Sequence, residues 1–363
     1  MPEIRLGACT IVVEAGALAS LGARLREAAP AHRYAVVSDE SVGALYGEAA
    51  LASIAASGGG RAELLTIPAG EAHKTRETWA ALTDRMLDAG FGRDTTVVAL
   101  GGGVVGDLAG FVAATYLRGV PVVQVPTTLL AMIDAAVGGK TGVDTRHGKN
   151  LVGAFHQPSA VVADPRTLVT LPPAQLRAGL AEAIKHGVIA DERYFERVAE
   201  DLPTLLAAGG WESEAMTALV ARSVEVKAAV VERDEREGGL RKILNFGHTL
   251  GHAVETLSGY ALLHGEAVAI GMALESELAE LAGVAECGTY DRVRAALELA
   301  GLPVSLPAAM RAGDVLALTR QDKKARGGVT EYALPRRIGA MAGERSGWAV
   351  PVPDELVLEL LSR

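Results

Sequence analysis

Hydrophobic residues in the first half of the chain occur in short runs that alternate with segments of helical periodicity. Such runs predict buried strands, and the segments between most of them predict helices. Strands that alternate with helices are typical of a parallel sheet covered by helices. The first half therefore predicts an α/β domain. The runs lie at residues 10–13, 34–38, 64–68, 95–100, 121–125 and 161–165.

After residue 170 the pattern changes to nearly continuous helical periodicity, which extends to about residue 302. The change predicts a domain boundary near residue 170. We expect an α/β nucleotide-binding domain over residues 1–170 and an all-helical domain over residues 171–363. A length of 363 residues suits two domains of ordinary size.

A glycine-rich turn follows the fourth predicted strand. Gly101, Gly103 and Gly106 have the spacing G-x-G-x-x-G between a strand and a predicted helix. Glycines let the backbone approach a pyrophosphate, and helix N-terminal amides stabilise its charge. The spacing alone also fits a tight turn, but its context favours a dinucleotide site. Thr127 and Thr128 end the next strand, at the edge where open α/β sheets bind ligands.

Two other features of the first domain each have two interpretations. Asp39 ends the second predicted strand, where an acid can bind ribose hydroxyls or cap the next helix. The glycine-rich segment at residues 133–153 carries Lys140 and Lys149, which suit a polyol phosphate or a solvated loop. It is not a Walker motif, because Asp134 stands where that motif needs glycine.

Three of the eight histidines, His248, His252 and His264, lie within seventeen positions. A helix over this run puts His248 and His252 on one face, and a helix stop before His264 puts that histidine at the next N-terminus. Catalytic zinc usually takes three protein ligands and keeps one position open. Glu182 is the best third candidate, three positions before Lys185 in an apolar segment. Such a pair by itself is more often a surface ion pair.

Composition excludes several classes of function. The net charge is −9 and no basic run is present, which argues against a nucleic-acid or membrane partner. An anionic substrate then needs a local basic pocket. Cys9 and Cys287 form no zinc or disulfide pattern and predict a reducing, cytoplasmic location. Neither a targeting segment nor a membrane span is predicted.

Together these motifs resemble the 3-dehydroquinate synthase family of the sugar-phosphate cyclase superfamily. The resemblance covers nearly the whole chain, and the motifs occur in the family's order. It departs from the family pattern around Asp39 and in the tail from residue 329 onward. The matching segments are residues 102–107, 127–128, 137–142, 148–150, 181–185, 245–252, 264–267 and 322–324.

The resemblance implies a Rossmann-like N-terminal domain, a helical C-terminal domain, a site between them and a homodimer. It implies NAD and a divalent zinc or cobalt ion as cofactors, with Glu182, His248 and His264 as metal ligands. The implied catalytic residues are His252, Lys185, Asn245 and Asp134. The implied substrate-binding residues are Lys140, Asn150, Lys227, Arg241 and Lys324, with Arg118 contributed by the partner subunit. The implied cofactor-binding residues are Asp39, Glu71, Lys74, Gly102, Gly103, Val104, Val105, Gly106, Asp107, Thr127, Thr128, Lys140, Lys149, Thr167 and Thr170.

The activity that the resemblance implies converts 3-deoxy-D-arabino-heptulosonate 7-phosphate to 3-dehydroquinate and phosphate, a step of the shikimate pathway toward aromatic amino acids. A substrate hydroxyl is oxidised by NAD, phosphate is eliminated, the hydride returns, the ring opens and an aldol reaction closes the carbocycle. The substrate's own phosphate helps to take the proton. A substrate with a carboxylate and a phosphate explains why an acidic protein concentrates lysine and arginine in these motifs.

Three alternatives remain open from the sequence. A metal-dependent polyol dehydrogenase related to glycerol dehydrogenase would share the architecture but gives no reason for the lysine-rich loops. Another cyclase, with an aminated or unphosphorylated ring product, is harder to separate, although Lys227, Arg241, Asn245 and His252 favour the first assignment. A catalytically inactive NAD-binding regulator would not need three metal ligands.

Overall fold

The computed structural model describes residues 3–58, 60–322 and 330–363. The chain packs into two compact units: residues up to Leu171 with Trp211–Ala228, and Pro172–Gly210 with the residues from Ala229 onward. The domain boundary near residue 170 remains a prediction, and the segment Trp211–Ala228 lies beyond it. Among the described helices, none is long and apolar enough to cross a membrane.

A seven-stranded sheet forms the core of the first unit, in the order β1-β2-β9-β6-β5-β3-β4. Only β1 runs antiparallel to its neighbour, and the other pairings in this sheet are parallel. The predicted parallel-sheet fold is confirmed. The described strands of this unit are β1 (Ile4–Leu6), β2 (Cys9–Val13), β3 (Arg33–Asp39), β4 (Arg61–Ile67), β5 (Thr95–Gly101), β6 (Val122–Pro126), β7 (Lys140–Thr145), β8 (Gly148–Phe155) and β9 (Ala160–Ala163).

Helices cover both faces of this sheet, because alternate side chains of each strand point to opposite faces. On β5, Val97 packs in the cluster that contains helix residues Met86 and Val112, whereas Val98 packs with Leu25 and Ile54. Both faces are therefore apolar, as expected for a parallel sheet. The helices are α1 (Leu21–Ala28), α2 (Glu40–Ala56), α3 (Arg76–Asp88) and α4 (Gly103–Thr115).

The segment at residues 140–153 is a β-hairpin rather than an irregular loop, and phosphate binding by Lys140 and Lys149 remains a prediction. Strands β7 and β8 pair antiparallel and form a sheet of their own. Gly142 and Gly153 are opposite each other in this register, and a Cβ atom on Gly153 would lie 2.0 Å from the Thr141 carbonyl oxygen. These glycines serve close strand pairing, which the sequence pattern alone does not distinguish from a ligand loop.

The second unit is mainly helical, which confirms the predicted class of the C-terminal half. Its short strands were not predicted, because segments of two or three residues carry no periodic pattern. They form two antiparallel ribbons, β10 with β13 and β11 with β12: β10 (Glu331–Tyr332), β11 (Pro335–Arg337), β12 (Ala340–Met341) and β13 (Val350–Pro351). The helices are α5 (Pro173–Ala190), α6 (Glu192–Leu205), α7 (Glu214–Arg233, which contains the point of division between the units), α8 (His248–Leu257), α9 (His264–Leu281), α10 (Thr289–Leu299), α11 (Ala312–Asp322) and α12 (Asp354–Leu361).

Candidate active site

The candidate cofactor residues of the first unit follow the carboxyl ends of its parallel strands, which meet at one edge of the sheet. Helix α4 begins directly after β5, and its N-cap is Gly102. A Cβ atom on Gly101 would lie 2.6 Å from a Val105 methyl group, so the strand-to-helix turn needs glycine there. At the end of β6, the Thr127 hydroxyl is buried without a hydrogen-bond partner among the described residues. This edge offers free helix amides and an unsatisfied hydroxyl to a ligand.

A charged cluster at the same edge surrounds the buried ammonium group of Lys74, whose side chain is only 4% exposed. Its Nζ atom lies 2.7 Å from Glu71 Oε1, 3.3 Å from Asp107 Oδ2 and 3.6 Å from Asp144 Oδ1. Lys149 Nζ lies 3.8 Å from Glu71 Oε1. The fold thus brings together four candidate cofactor residues and adds Asp144, which the sequence analysis did not select.

The pKa values in this cluster reflect competition between burial and charge. Burial raises the pKa of Asp107 to about 6, although Lys74 opposes the shift. Burial likewise raises the pKa of Asp144. Burial by itself would raise the pKa of Glu71, but the charges of Lys74 and Lys149 outweigh burial and lower this pKa. Burial disfavours the charge on Lys74, yet Asp107 and Glu71 outweigh it and raise the pKa of that lysine. Lys74 therefore remains a cation.

Two other strand ends carry candidate cofactor residues. Asp39 is the N-cap of α2, and its Oδ1 accepts from the backbone amides of Ser41 and Val42, both at 2.9 Å. Capping uses one carboxylate oxygen, so it does not preclude a ribose contact through the other. After β9, the Tyr46 hydroxyl donates to the Thr167 carbonyl oxygen and pairs with the Thr170 hydroxyl, both at 2.9 Å. Tyr46 therefore fixes the turn that carries both candidate threonines.

Asp134 and Lys227, two candidates far apart in sequence, form an ion pair in the first unit. Lys227 Nζ donates to Asp134 Oδ1 at 2.7 Å and to the Asp134 carbonyl oxygen at 2.5 Å. Asp134 lies in a π-helical turn, Ala131–Ala135, a feature that often marks functional sites. The segment Trp211–Ala228 supplies Lys227, so its packing in this unit completes the pair.

The hairpin carries Lys140 at the start of β7 and Asn150 near the start of β8. Asn150 has a left-handed backbone, with φ 56°, and its amide donates to Asp144 Oδ1 at 2.9 Å. Asp144 therefore holds the turn that exposes Asn150. Arg118 is exposed and also left-handed, with φ 71°. Lys324 lies outside the described residues.

The second unit brings Glu182, His248 and His264 together, with ligand atoms within 4.8 Å of one another. Glu182 Oε1 lies 3.6 Å from His248 Nε2 and 3.7 Å from His264 Nε2. Two donors on one tetrahedral zinc ion are about 3.4 Å apart, because each bond is about 2.1 Å long. The separations therefore fit a shared ion. Both oxygens of Glu182 are fully buried without a hydrogen-bond partner, although Lys185 Nζ forms an ion pair with Oε2.

Hydrogen bonds on the other ring nitrogens orient both histidines. His248 Nδ1 faces the Phe246 carbonyl oxygen at 3.1 Å, and His264 Nδ1 faces Glu255 Oε2 at 3.4 Å. Burial and the Lys185 charge hold the pKa of His248 well below its usual value, which favours the neutral ligand form. Burial by itself would also lower the pKa of His264, but Glu255 and Glu182 outweigh burial and raise this pKa.

Three remaining candidates of the second unit, His252, Arg241 and Asn245, lie close to His248 in the sequence. The ring centroid of His252 is 5.1 Å from that of His248 and 5.9 Å from that of His264. Buried Arg241 donates to the Glu235 carbonyl oxygen at 2.5 Å. Asn245 Nδ2 donates to Glu237 Oε1 at 2.7 Å, in the same turn region.

Sequence reasoning missed several residues that orient the candidates. Glu255 had a detectable signal, because it follows His252 by three positions and so shares its helix face. Asp234 accepts from the backbone amides of Gly238, Gly239 and Arg241 at 2.7–2.9 Å and thereby shapes the turn before Arg241. Nothing local distinguishes such an aspartate from a solvated one.

Comparison with known proteins agrees with this arrangement. The family description "3-dehydroquinate synthase N-terminal" matches residues 64–178, and "3-dehydroquinate synthase C-terminal" matches residues 179–325. The 3-dehydroquinate synthase of Symbiobacterium thermophilum is 50% identical over 91% of this chain and 91% of the relative. That of Geobacter metallireducens is 49% identical over 92% of this chain and 91% of the relative.

Two solved cyclase structures are also similar to this chain in fold and sequence. The 2-epi-5-epi-valiolone synthase ValA of Streptomyces hygroscopicus, solved with NAD+ and Zn2+, has a TM-score of 0.87 and 32% identity, covering 100% of this chain and 98% of that one. A 2-deoxy-scyllo-inosose synthase complexed with carbaglucose-6-phosphate, NAD+ and Co2+ has a TM-score of 0.87 and 26% identity, covering 97% of this chain and 96% of that one. Fold and site thus define the class of sugar-phosphate cyclases. Within it, the chain belongs to the 3-dehydroquinate synthase family.

Proposed function

We propose that this protein is a phosphate-eliminating lyase that converts 3-deoxy-D-arabino-heptulosonate 7-phosphate to 3-dehydroquinate and phosphate. The observation that carries the proposal is the sequence identity of 50% and 49% to two 3-dehydroquinate synthases, each over at least 91% of this chain and 91% of the relative. The two cyclases with other products are less similar, at 32% and 26% identity. A biosynthetic role and the low cysteine content are consistent with a cytoplasmic enzyme.

The first unit has the residues to hold NAD. Its glycine turn allows close approach of a pyrophosphate, and the amides at the start of α4 would stabilise the charge of that group. The unsatisfied Thr127 hydroxyl and the cluster around Lys74 supply further polar contacts. Bound NAD supplies a temporary hydride acceptor, so the net reaction involves no oxidation.

Glu182, His248 and His264 would hold a divalent zinc or cobalt ion. The set of one carboxylate and two imidazoles suits either ion and leaves open coordination positions for substrate. Such an ion lowers the pKa of a bound hydroxyl. The fully buried carboxylate of Glu182 supports this assignment: Lys185 pairs with its Oε2, whereas its Oε1 faces the Nε2 atoms of both histidines, where a metal ion would compensate for the lost water.

The chain's own residues bind and orient the substrate. Lys140, Lys227 and Arg241 are assigned to its two anionic groups, since charge-assisted bonds from such groups are strong. The Asp134 carboxylate holds Lys227 Nζ in place and can accept a proton or hydroxyl hydrogen bond at its oxygens. His252 can exchange a proton at a ring nitrogen. Fixed orientation then contributes much of the rate acceleration.

The first test measures cofactor stoichiometry during turnover. Given the heptulosonate phosphate, zinc or cobalt, and NAD at a tenth of the substrate concentration, the protein should release phosphate until substrate is exhausted. Absorbance of reduced nicotinamide should not accumulate, because the hydride returns within each cycle. Accumulation of NADH in proportion to product, or phosphate release that stops at the amount of NAD supplied, would favour a polyol dehydrogenase instead.

We also propose a homodimer, with strand β8 at the subunit contact. Leu151, Val152 and Phe155 are 63%, 37% and 52% exposed, a concentration of apolar surface that suits a partner. Exposed Arg118 has a left-handed backbone, a strained state consistent with a functional constraint.

In light scattering, the protein should have twice the 37.6 kDa chain mass. Phe155→Asp should shift the species toward the monomer, and exposed Leu45→Asp serves as the matched control. A monomeric wild-type protein contradicts this proposal.

A further inference from the structure

Helix α9 contains a buried carboxylate that the proposed mechanism does not use. Glu275 is fully buried, between Leu274 and Ser276, which are 8% and 0% exposed. A carboxylate in such surroundings is costly unless hydrogen bonds compensate for the lost water. The partners of Glu275 therefore indicate what it stabilises.

Two backbone amides at the N-terminus of α8 donate to Glu275. Glu275 Oε2 accepts from the Gly247 amide at 2.7 Å, and Oε1 accepts from the Leu250 amide at 3.0 Å. The first amides of a helix have no partner within the helix, and a negative charge there also interacts favourably with the helix dipole. Glu275 thus caps α8 from a neighbouring helix.

Helix α8 does not cap itself, because its N-cap is Gly247 and no side chain is available there. Gly247 has φ +78°, and a Cβ atom on it would lie 2.4 Å from the Met272 side chain. A Cβ atom on Gly271 would lie 1.9 Å from the Gly247 carbonyl oxygen. The close approach of α9 excludes an ordinary capping residue, and Glu275 of the same helix supplies the missing acceptor.

The capped turn begins with a candidate ligand. His248 is the first residue of α8, and His264 is the first residue of α9. A bond from α9 to the first turn of α8 therefore fixes one histidine relative to the other. We propose that Glu275 is a positioning residue of the metal centre, which acts through the first turn of α8. The inference rests on the proposed metal site.

The test compares three variants for zinc affinity. Glu275→Gln leaves one acceptor oxygen and turns an amide toward a backbone donor, so affinity should fall about 10- to 100-fold, as for other residues that orient metal ligands. Glu275→Asp keeps the charge and should recover part of the loss. Glu280→Gln is the matched control. Glu280 also lies in α9, but it accepts at 2.7 Å from the amide of Tyr290, which belongs to α10, a helix without candidate ligands. Its affinity should stay within about twofold.

Zinc affinity is measured by competition with a chromophoric chelator, and the visible spectrum of the cobalt form reports ligand geometry. Hydrogen exchange in peptides over residues 245–254 should accelerate in the Glu275 variants only. Wild-type affinity and an unchanged cobalt spectrum in either Glu275 variant overturn the inference, as does an equal loss in the Glu280 variant. If Glu275→Gln does not fold, Glu275→Asp decides alone. Failure of wild-type protein to bind zinc overturns the metal site itself.

Discussion

His248→Ala and His264→Ala should each lose the metal on dialysis and lose nearly all turnover. Each histidine is one of three candidate ligands, the third being Glu182, so its removal leaves two. Metal affinity should fall by more than about a hundredfold, beyond the range typical of residues that only orient a ligand. Bound metal is measured by elemental analysis after dialysis, alongside circular dichroism.

His252→Ala is the control for these two variants. His252, Glu255 and His264 form a second group whose ligand atoms are also within 4.8 Å, so geometry alone admits an alternative centre. We expect His252→Ala to retain metal while losing most turnover. Loss of metal in His252→Ala with retention in His248→Ala would transfer the centre to the second group. Full retention in both His248→Ala and His264→Ala would refute the assignment.

Lys74→Met should both destabilise the protein and weaken NAD binding. The substitution leaves Glu71, Asp107 and Asp144 without their central cation. Breaking a buried ion pair costs about 3–5 kcal/mol, and we expect roughly 3 kcal/mol because Glu71 keeps contact with water. Urea unfolding without cofactor measures the first effect, and titration with NAD measures the second.

Lys149→Met is the matched control, because Lys149 contacts the same Glu71 but its side chain is 31% exposed. Its loss should cost under about 1 kcal/mol in unfolding free energy, as for surface pairs. NAD binding should still weaken if Lys149 contacts the cofactor. Equal unfolding free energies in the two variants would contradict the central role of Lys74.

The periodic parts of this chain could be predicted from sequence, because apolar spacing reports which face of an element is buried. Helix α8 carries both His248 and His252 and ends at Leu257, and α9 begins at His264, as the histidine spacing and the stop signal before His264 predict. The parallel sheet followed from runs such as the one at residues 95–100. In each case, the determining interactions lie within a few residues of one another.

Features set by distant packing could not be predicted. Glu275 has the sequence context of a solvated glutamate, whereas in the fold it is buried and accepts from two amides at the start of α8. The glycine-rich pattern at residues 140–153 suggested a loop, whereas Gly142 and Gly153 each lie close to the backbone of the facing strand. The role of Asp144 follows from its distance to Lys74, which the sequence does not show. The roles of these residues depend on neighbours that a local sequence pattern does not include.

The packing of Trp211–Ala228 with the first unit bears on any attempt to divide this enzyme genetically. A fragment cut at residue 171 would keep Asp134 but lose Lys227, the cation that binds its carboxylate. The complementary fragment would carry that lysine without its aspartate. A natural fusion or an engineered split is therefore better placed outside residues 134–227, so that one piece keeps both members of the ion pair.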